Sequence, residues 1–319
     1  GPFAQPCPAG PDGRRIRAGR ATPGVLALLN AAGRDPTRVT AMDLGFGAAP
    51  RLNAAGRLDD MSRGIETLLA DDIHVAEERA ASLEALNRER RALEREMRDT
   101  AVADIEAHAE TDPGEMAPIL CLVADDWHQG VVGIVASRLK ERFRRPVVAF
   151  APADDGELKG SARSVPGLHM RDLLEALDTR SGGELIVRFG GHAMAAGLTL
   201  RAADFHAFKV ALTELAREWL GDDPAGEVAW TDGTPPASAY GLETAETLRY
   251  AGPWGAGFPE PVFHDRFLVR DQRIVGADHL KLRVSPLSAP HLEIDGIAFN
   301  AVNNGLAEAP GTVEAVFRL

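Results

Sequence analysis

Pro118-Ile119-Leu120-Cys121-Leu122-Val123, the segment Val131 to Phe143, and Pro146-Val147-Val148-Ala149-Phe150 follow one another in the stretch on which the fold turns. The two short runs are continuously apolar, as strands buried on both faces are, and the segment between them repeats its apolar residues at helical spacing. Strand, helix, strand in that order is the unit of an α/β domain. Downstream, Lys159 to Ser164 reads as a short strand, and Met170 to Leu177 and Asp204 to Leu220 as helices. Pro113-Gly114 on one side and the Gly/Asp/Pro cluster from Gly221 to Gly226 on the other bound this domain, predicted over residues 111–222.

Residues 71–110 contain neither Pro nor Gly, and Ile73, Ala76, Ala80, Leu83, Leu86, Leu93 and Met97 recur at steps that keep one helix face apolar. The seam breaks at Arg90, which favours a connecting helix over a coiled coil. Before it, residues 15–70 hold a short helix with Pro23 in its first turn and a second expected near Asp35, while 1–14 read as a Pro/Gly/Ala leader expected to be disordered. Beyond Gly226 come four strand candidates, Val262 to Val269, Leu280 to Val284, Leu292 to Phe299 and Val313 to Leu319, with no long helical pattern between them. They predict a small all-β barrel of the OB type over 227–319, read as short of its final strand.

The chain of 319 residues is 45% hydrophobic and 26% charged, the balance of a globular protein. No run approaches the roughly 18 apolar residues of a membrane span, and Cys7 and Cys121 are too far apart to suggest a disulfide framework. A cytoplasmic protein without a membrane partner is expected. A net charge of −12 argues against a surface that attracts nucleic acid everywhere, yet Trp127 to His192 carries ten Lys and Arg against eight Asp and Glu. The chain opens on Gly1-Pro2 and stops at Phe317-Arg318-Leu319 inside a strand candidate, so a fragment is expected.

Four segments carry possible chemistry. Arg51-Leu52-Asn53-Ala54-Ala55-Gly56-Arg57 reads as a loop in which Arg51, Asn53 and Arg57 offer donors to a phosphate, or else as a surface loop leading into a helix. Trp127-His128-Gln129-Gly130 follows a strand and opens a helix, where backbone N–H groups favour anions; His128 and Gln129 are the candidates, with a structural histidine the plainer alternative. Along Lys159-Gly160-Ser161-Ala162-Arg163-Ser164, two-residue alternation puts Lys159, Ser161 and Arg163 on one face, either a track for a phosphate backbone or a charged edge strand. In Phe189-Gly190-Gly191-His192, Gly190 and Gly191 let a ligand reach the main chain beside His192, with a helix expected to follow. No zinc spacing, phosphate-loop motif or Asp/His cluster able to hold two divalent ions is present.

In this order the segments resemble the second half of the RecJ-type exonucleases of the DHH phosphoesterase superfamily, over about Arg15 to Leu319 and including Arg15-Ile16-Arg17-Ala18-Gly19 and Pro253-Trp254-Gly255. The resemblance implies 5′-to-3′ degradation of single-stranded DNA in repair and recombination, with Mn2+ or Mg2+ held by Asp and His residues of an N-terminal domain. No Asp-His-His occurs in the chain. It therefore implies a remnant of the DHH domain over 15–70, the connecting helix, a DHHA1-type domain and the OB-type domain, with no metal expected on this fragment and no activity from it alone. Arg51, Asn53, Arg57, His128, Gln129, Lys159, Ser161, Arg163, Ser164, Gly190, Gly191 and His192 would grip the DNA. Implied partners are single-strand-binding protein and a RecQ-type helicase. The alternatives are another DHH phosphodiesterase acting on short or cyclic oligonucleotides, and a non-catalytic nucleic-acid-binding module.

Overall fold

Order begins earlier than composition suggests. In the computed structural model, which describes residues 11–111, 116–220, 229–252, 254–255 and 257–319, helix α1 (Pro11–Arg17) already stands where the leader was expected. Its Ile16 is buried against Leu29 and Val39. The first ten residues, Pro113-Gly114, Gly221 to Gly226 and Pro253 lie outside the described residues. The chain divides into two compact units, residues 1–87 with 228–319, and residues 88–227.

In the first unit, Pro23 opens α2 (Pro23–Ala31), because proline lacks only an N–H that the first turn leaves unpaired anyway. Near Asp35 the expected helix shrinks to a single 3-10 turn, Pro36–Arg38, capped by the Asp35 carboxylate. Next comes a π-helical turn, Asp43–Ala48, running straight into α3 (Ala49–Leu58). Pro50 explains the wide turn: it has no N–H for the carbonyl of Phe46, and its ring crowds that oxygen. After α4 (Ser62–Leu68) the predicted long helix appears as α5 (Ile73–Thr111). Its Ala76, Ala80 and Leu83 close a small alanine-rich core with Ala27, Leu28 and Ala55. The division between units falls inside α5, after Asn87.

The second unit is the α/β domain. It holds β1 (Leu120–Val123), α6 (Val132–Phe143), β2 (Val147–Pro152), β3 (Glu157–Arg163), α7 (Met170–Arg180), β4 (Arg188–Gly191), β5 (Ala195–Arg201) and α8 (Phe205–Leu220). The sheet order is β1-β2-β3-β5-β4, with β1 parallel to β2 and the remaining pairs antiparallel. Val148, Phe150, Ala162 and Leu198 face α7 and α8, and Phe150 sits edge-on between Phe205 and Phe208 at 5.6 Å from each. On the opposite face α6 covers β2 and β3. Being covered on both sides is why β2 reads as an unbroken apolar run.

Within the first unit, α9 (Leu242–Ala251) precedes β6 (Phe263–Val275), β7 (His279–Pro286), β8 (Ile294–Ala298) and β9 (Thr312–Phe317). All pairings are antiparallel in the order β8-β7-β6-β9. Among the described residues the sheet stays open between β8 and β9. Phe267 is buried, edge-on to Phe317 at 5.4 Å, and Phe299 is exposed beside His279.

Candidate nucleic-acid interface

The uncovered part of the second unit's sheet is set by α6. That helix covers β2 and β3, while Gly197 on β5 and Gly190 on β4 are exposed on the same face. Alternation then decides which residues look out. Leu158, Ala162, Ala196 and Leu198 turn into the core, so Lys159, Ser161 and Arg163 on β3 point the other way, as the sequence predicted. The track is no edge, because β3 is the middle strand of the sheet.

Register builds the rest. Lys159 lies opposite Thr199, and Thr199 opposite Arg188; Ser161 lies opposite Gly197, and Gly197 opposite Gly190; Arg163 lies opposite Ala195. His192 continues that last row, its N–H bonded to the Ala195 carbonyl at 2.8 Å. Both glycines of the middle row are exposed. A Cβ built on Gly190 meets nothing within 4 Å, and one on Gly197 meets only the Gly160 carbonyl, at 3.9 Å. The face is therefore a shallow tray floored by bare peptide, with cations at both ends.

Arg163 is held from three directions. It donates to Ser137 Oγ at 3.1 Å, Ser161 Oγ at 2.9 Å and the Ala162 carbonyl at 2.8 Å. Gly133, in the first turn of α6, makes room: a Cβ there would stand 2.9 Å from Ser161 Oγ and 3.0 Å from the Arg163 guanidinium. At the other end Lys159 reaches Glu157 at 2.8 Å and Thr199 at 3.3 Å, and Arg188 reaches the same Thr199 oxygen at 3.2 Å. The hydrogen bond from Lys159, with the charges of Lys159 and Arg188 behind it, holds the Glu157 carboxyl below its usual value.

His128 and Gln129 sit exposed at the start of α6. His128 Nδ1 accepts from the Gly130 N–H at 3.0 Å, which places the proton of a neutral ring on Nε2. Gln129 donates to the Pro152 carbonyl at the end of β2, at 3.0 Å.

Several expectations need correction. Ser164 is buried and donates to the Leu168 carbonyl at 2.7 Å, so it closes a turn behind the sheet and does not join the tray. A strand, β5, follows Gly190 to His192 in place of the expected helix. Gly191 has φ +152°, and a Cβ there would lie 2.4 Å from the Ala195 carbonyl and 2.5 Å from the Ala196 Cα. Its role is the hairpin itself. Gly191→Ala is expected to cost about 1–3 kcal/mol, read as a lower urea midpoint.

The arginine segment is no loop. It forms α3, where each residue turns about 100° from the last, so Arg51 and Asn53 face opposite ways. Arg51 is 6% exposed, 2.7 Å from Glu84, and donates to the Gly47 and Ala31 carbonyls at 2.7 and 3.0 Å. Asn53 and Arg57 lie exposed on the other side, in the first unit.

Gly133, Ser137, Arg188, Gly197 and Thr199 also shape the tray and were not among the candidates the sequence suggested. Alternation backward from Gly190 would have found Arg188; Thr199 and Gly197 needed a strand register that no local pattern supplies. The open β-sheet of the first unit has a groove of its own. Its apolar groove of about 950 Å3 has Glu293 and Asp295 in its lining, and its Arg318 stands 3.5 Å from Glu260. Trp254 stacks on Phe258 at 4.8 Å and donates to the Leu248 carbonyl. Among the described residues no group of three or more His, Cys, Asp or Glu could hold a metal ion.

Comparison with known proteins adds a second line of argument. Residues 117–218 match the DHHA1 domain and residues 231–319 the RecJ OB domain. The chain is 50% identical over 316 residues to the single-stranded-DNA-specific exonuclease RecJ of Salmonella typhimurium, a match covering 96% of this chain and 52% of that protein. It is similar to the crystal structures of Thermus thermophilus RecJ in complex with Mg2+ and with Mn2+, at TM-scores of 0.72 and 0.71 and 30% identity. These matches cover 95% of this chain and 44% and 42% of those chains. The chain thus spans about half the length of the curated relatives it matches.

Proposed function

Because the chain belongs to the RecJ family and matches its C-terminal portion, we propose that the glycine-floored tray holds single-stranded DNA for a 5′-to-3′ exonuclease. One observation carries this reading: two exposed glycines lie side by side between cationic rows. The tray is two strand spacings wide, about 10 Å, and a sugar or base can lie flat on bare peptide only where no complementary strand sheathes it. Arg163, held in place by Ser137 and Ser161, brings its positive charge to a phosphate, and Ser161 adds a hydroxyl. Lys159 and His192 extend the grip, and His128 and Gln129 are further candidates, exposed just before α6. Asn53 and Arg57, exposed on α3, are a separate pair of donors for a phosphate. Arg51 is left out, since its guanidinium is committed to the interior.

In the whole protein the hydrolysis depends on Mn2+ or Mg2+, and this chain supplies the hold on the strand. Alone it is expected to show no nuclease activity. The setting is cytoplasmic DNA repair and recombination, with single-strand-binding protein and a RecQ-type helicase as partners.

Arg163→Ala is expected to weaken binding of a fluorescent oligothymidylate about 10- to 30-fold, the worth of one charge-assisted contact. The slope of log affinity against log salt should fall by about 0.7, one phosphate's share on a single strand. Unchanged affinity and slope would remove the tray from the reading.

A further inference from the structure

One row of the tray is left unexplained by a grip centred on Arg163. Lys159 stands two residues before Ser161 and Arg188 two before Gly190, and Thr199 lies between them in the sheet. The two cations converge on one Thr199 oxygen, at 3.3 and 3.2 Å. Two like charges drawn together repel, and Glu157 offsets this by ion-pairing with Lys159 at 2.8 Å. Thr199 is buried, and its hydroxyl accepts both bonds, which leaves its hydrogen to donate. Two cations and one hydroxyl donor around a point now balanced by the protein's own carboxylate have the composition of an anion site.

We propose that Lys159, Thr199 and Arg188 form a second phosphate subsite, and that Glu157 is the internal anion a strand's phosphate displaces. At about 3.3 Å per residue, Lys159 and Arg163 stand roughly 13 Å apart along β3. Gly197 and Gly190 lie between these ends. The tray therefore takes a run of strand with a phosphate at each end and sugars and bases over the glycines. A single terminal nucleotide reaches only one end at a time. This inference rests on the tray being the DNA-binding face.

The test titrates the full chain with pT, pTpT and pTpTpT by calorimetry. The wild type should bind pTpTpT about tenfold more tightly than pT, the worth of one added charged contact. Arg188→Ala should abolish that gain and leave pT affinity within twofold, since Arg188 is exposed on an edge strand and away from Arg163. Glu157→Gln should tighten pTpTpT several-fold and leave pT unchanged. A length gain that survives Arg188→Ala overturns the second subsite alone. Unchanged pTpTpT affinity in Glu157→Gln overturns the displacement. Failure of the wild type to bind any of the three overturns the tray and the subsite together.

Discussion

Gly190→Val is expected to weaken single-stranded DNA binding at least about a hundredfold while the chain melts at the same temperature or slightly higher. The position tolerates the side chain: Gly190 is exposed on an edge strand, its φ is not positive, and a Cβ meets nothing within 4 Å. A β-branched residue suits a strand better than glycine, which has more backbone freedom to lose on folding. Function suffers for the same geometric reason. The isopropyl group would rise from the floor opposite Gly197, lifting a bound strand off the peptide and away from Arg163 and Lys159 together. Losing two charged contacts at about 1.5 kcal/mol each gives the hundredfold. Anisotropy titration beside a thermal melt checks both halves. Full binding by a stably folded Gly190→Val chain would mean that the ligand never touches this floor.

Arg51→Ala is expected to cost about 3–5 kcal/mol of stability, the range for breaking one side of a buried ion pair. The substitution leaves Glu84 without the guanidinium 2.7 Å away and takes donors from the Gly47 and Ala31 carbonyls. Because Ala48 and Ala55 belong to the alanine core beside α5, little bulk is available to collapse into the gap. Pairing Arg51→Met with Glu84→Leu should recover part of the loss, since an apolar pair of similar volume carries no desolvation cost. Urea unfolding gives the numbers. A loss under about 1 kcal/mol is the range of a surface substitution and would return Arg51 to the exposed role the sequence suggested.

What could be read from the sequence was whatever a local period encodes. The α/β alternation, the long helix from Ile73 and the outward face of Lys159, Ser161 and Arg163 all follow from spacing within one element. Arg51 to Arg57 misled because its Asn and Gly suggest a loop, while tertiary packing of Ala54 and Ala55 holds a helix there. Ser164 sits one residue past the alternating triplet, where the strand has ended and the chain turns inward. Arg188 and Thr199 became partners of Lys159 through pairing across sequence gaps of 29 and 40 residues. No period within one segment encodes such a meeting.

The open edges of β8 and β9 also bear on how the polypeptide behaves in a tube. Each carries a row of backbone donors and acceptors without a neighbour among the described residues, and Ile297, Phe299 and Val316 stand exposed on or beside them. In concentrated samples strands of neighbouring copies are expected to pair onto such edges. Val316→Lys would blunt one edge without touching the tray, making colloidal shelf life adjustable independently of ligand affinity.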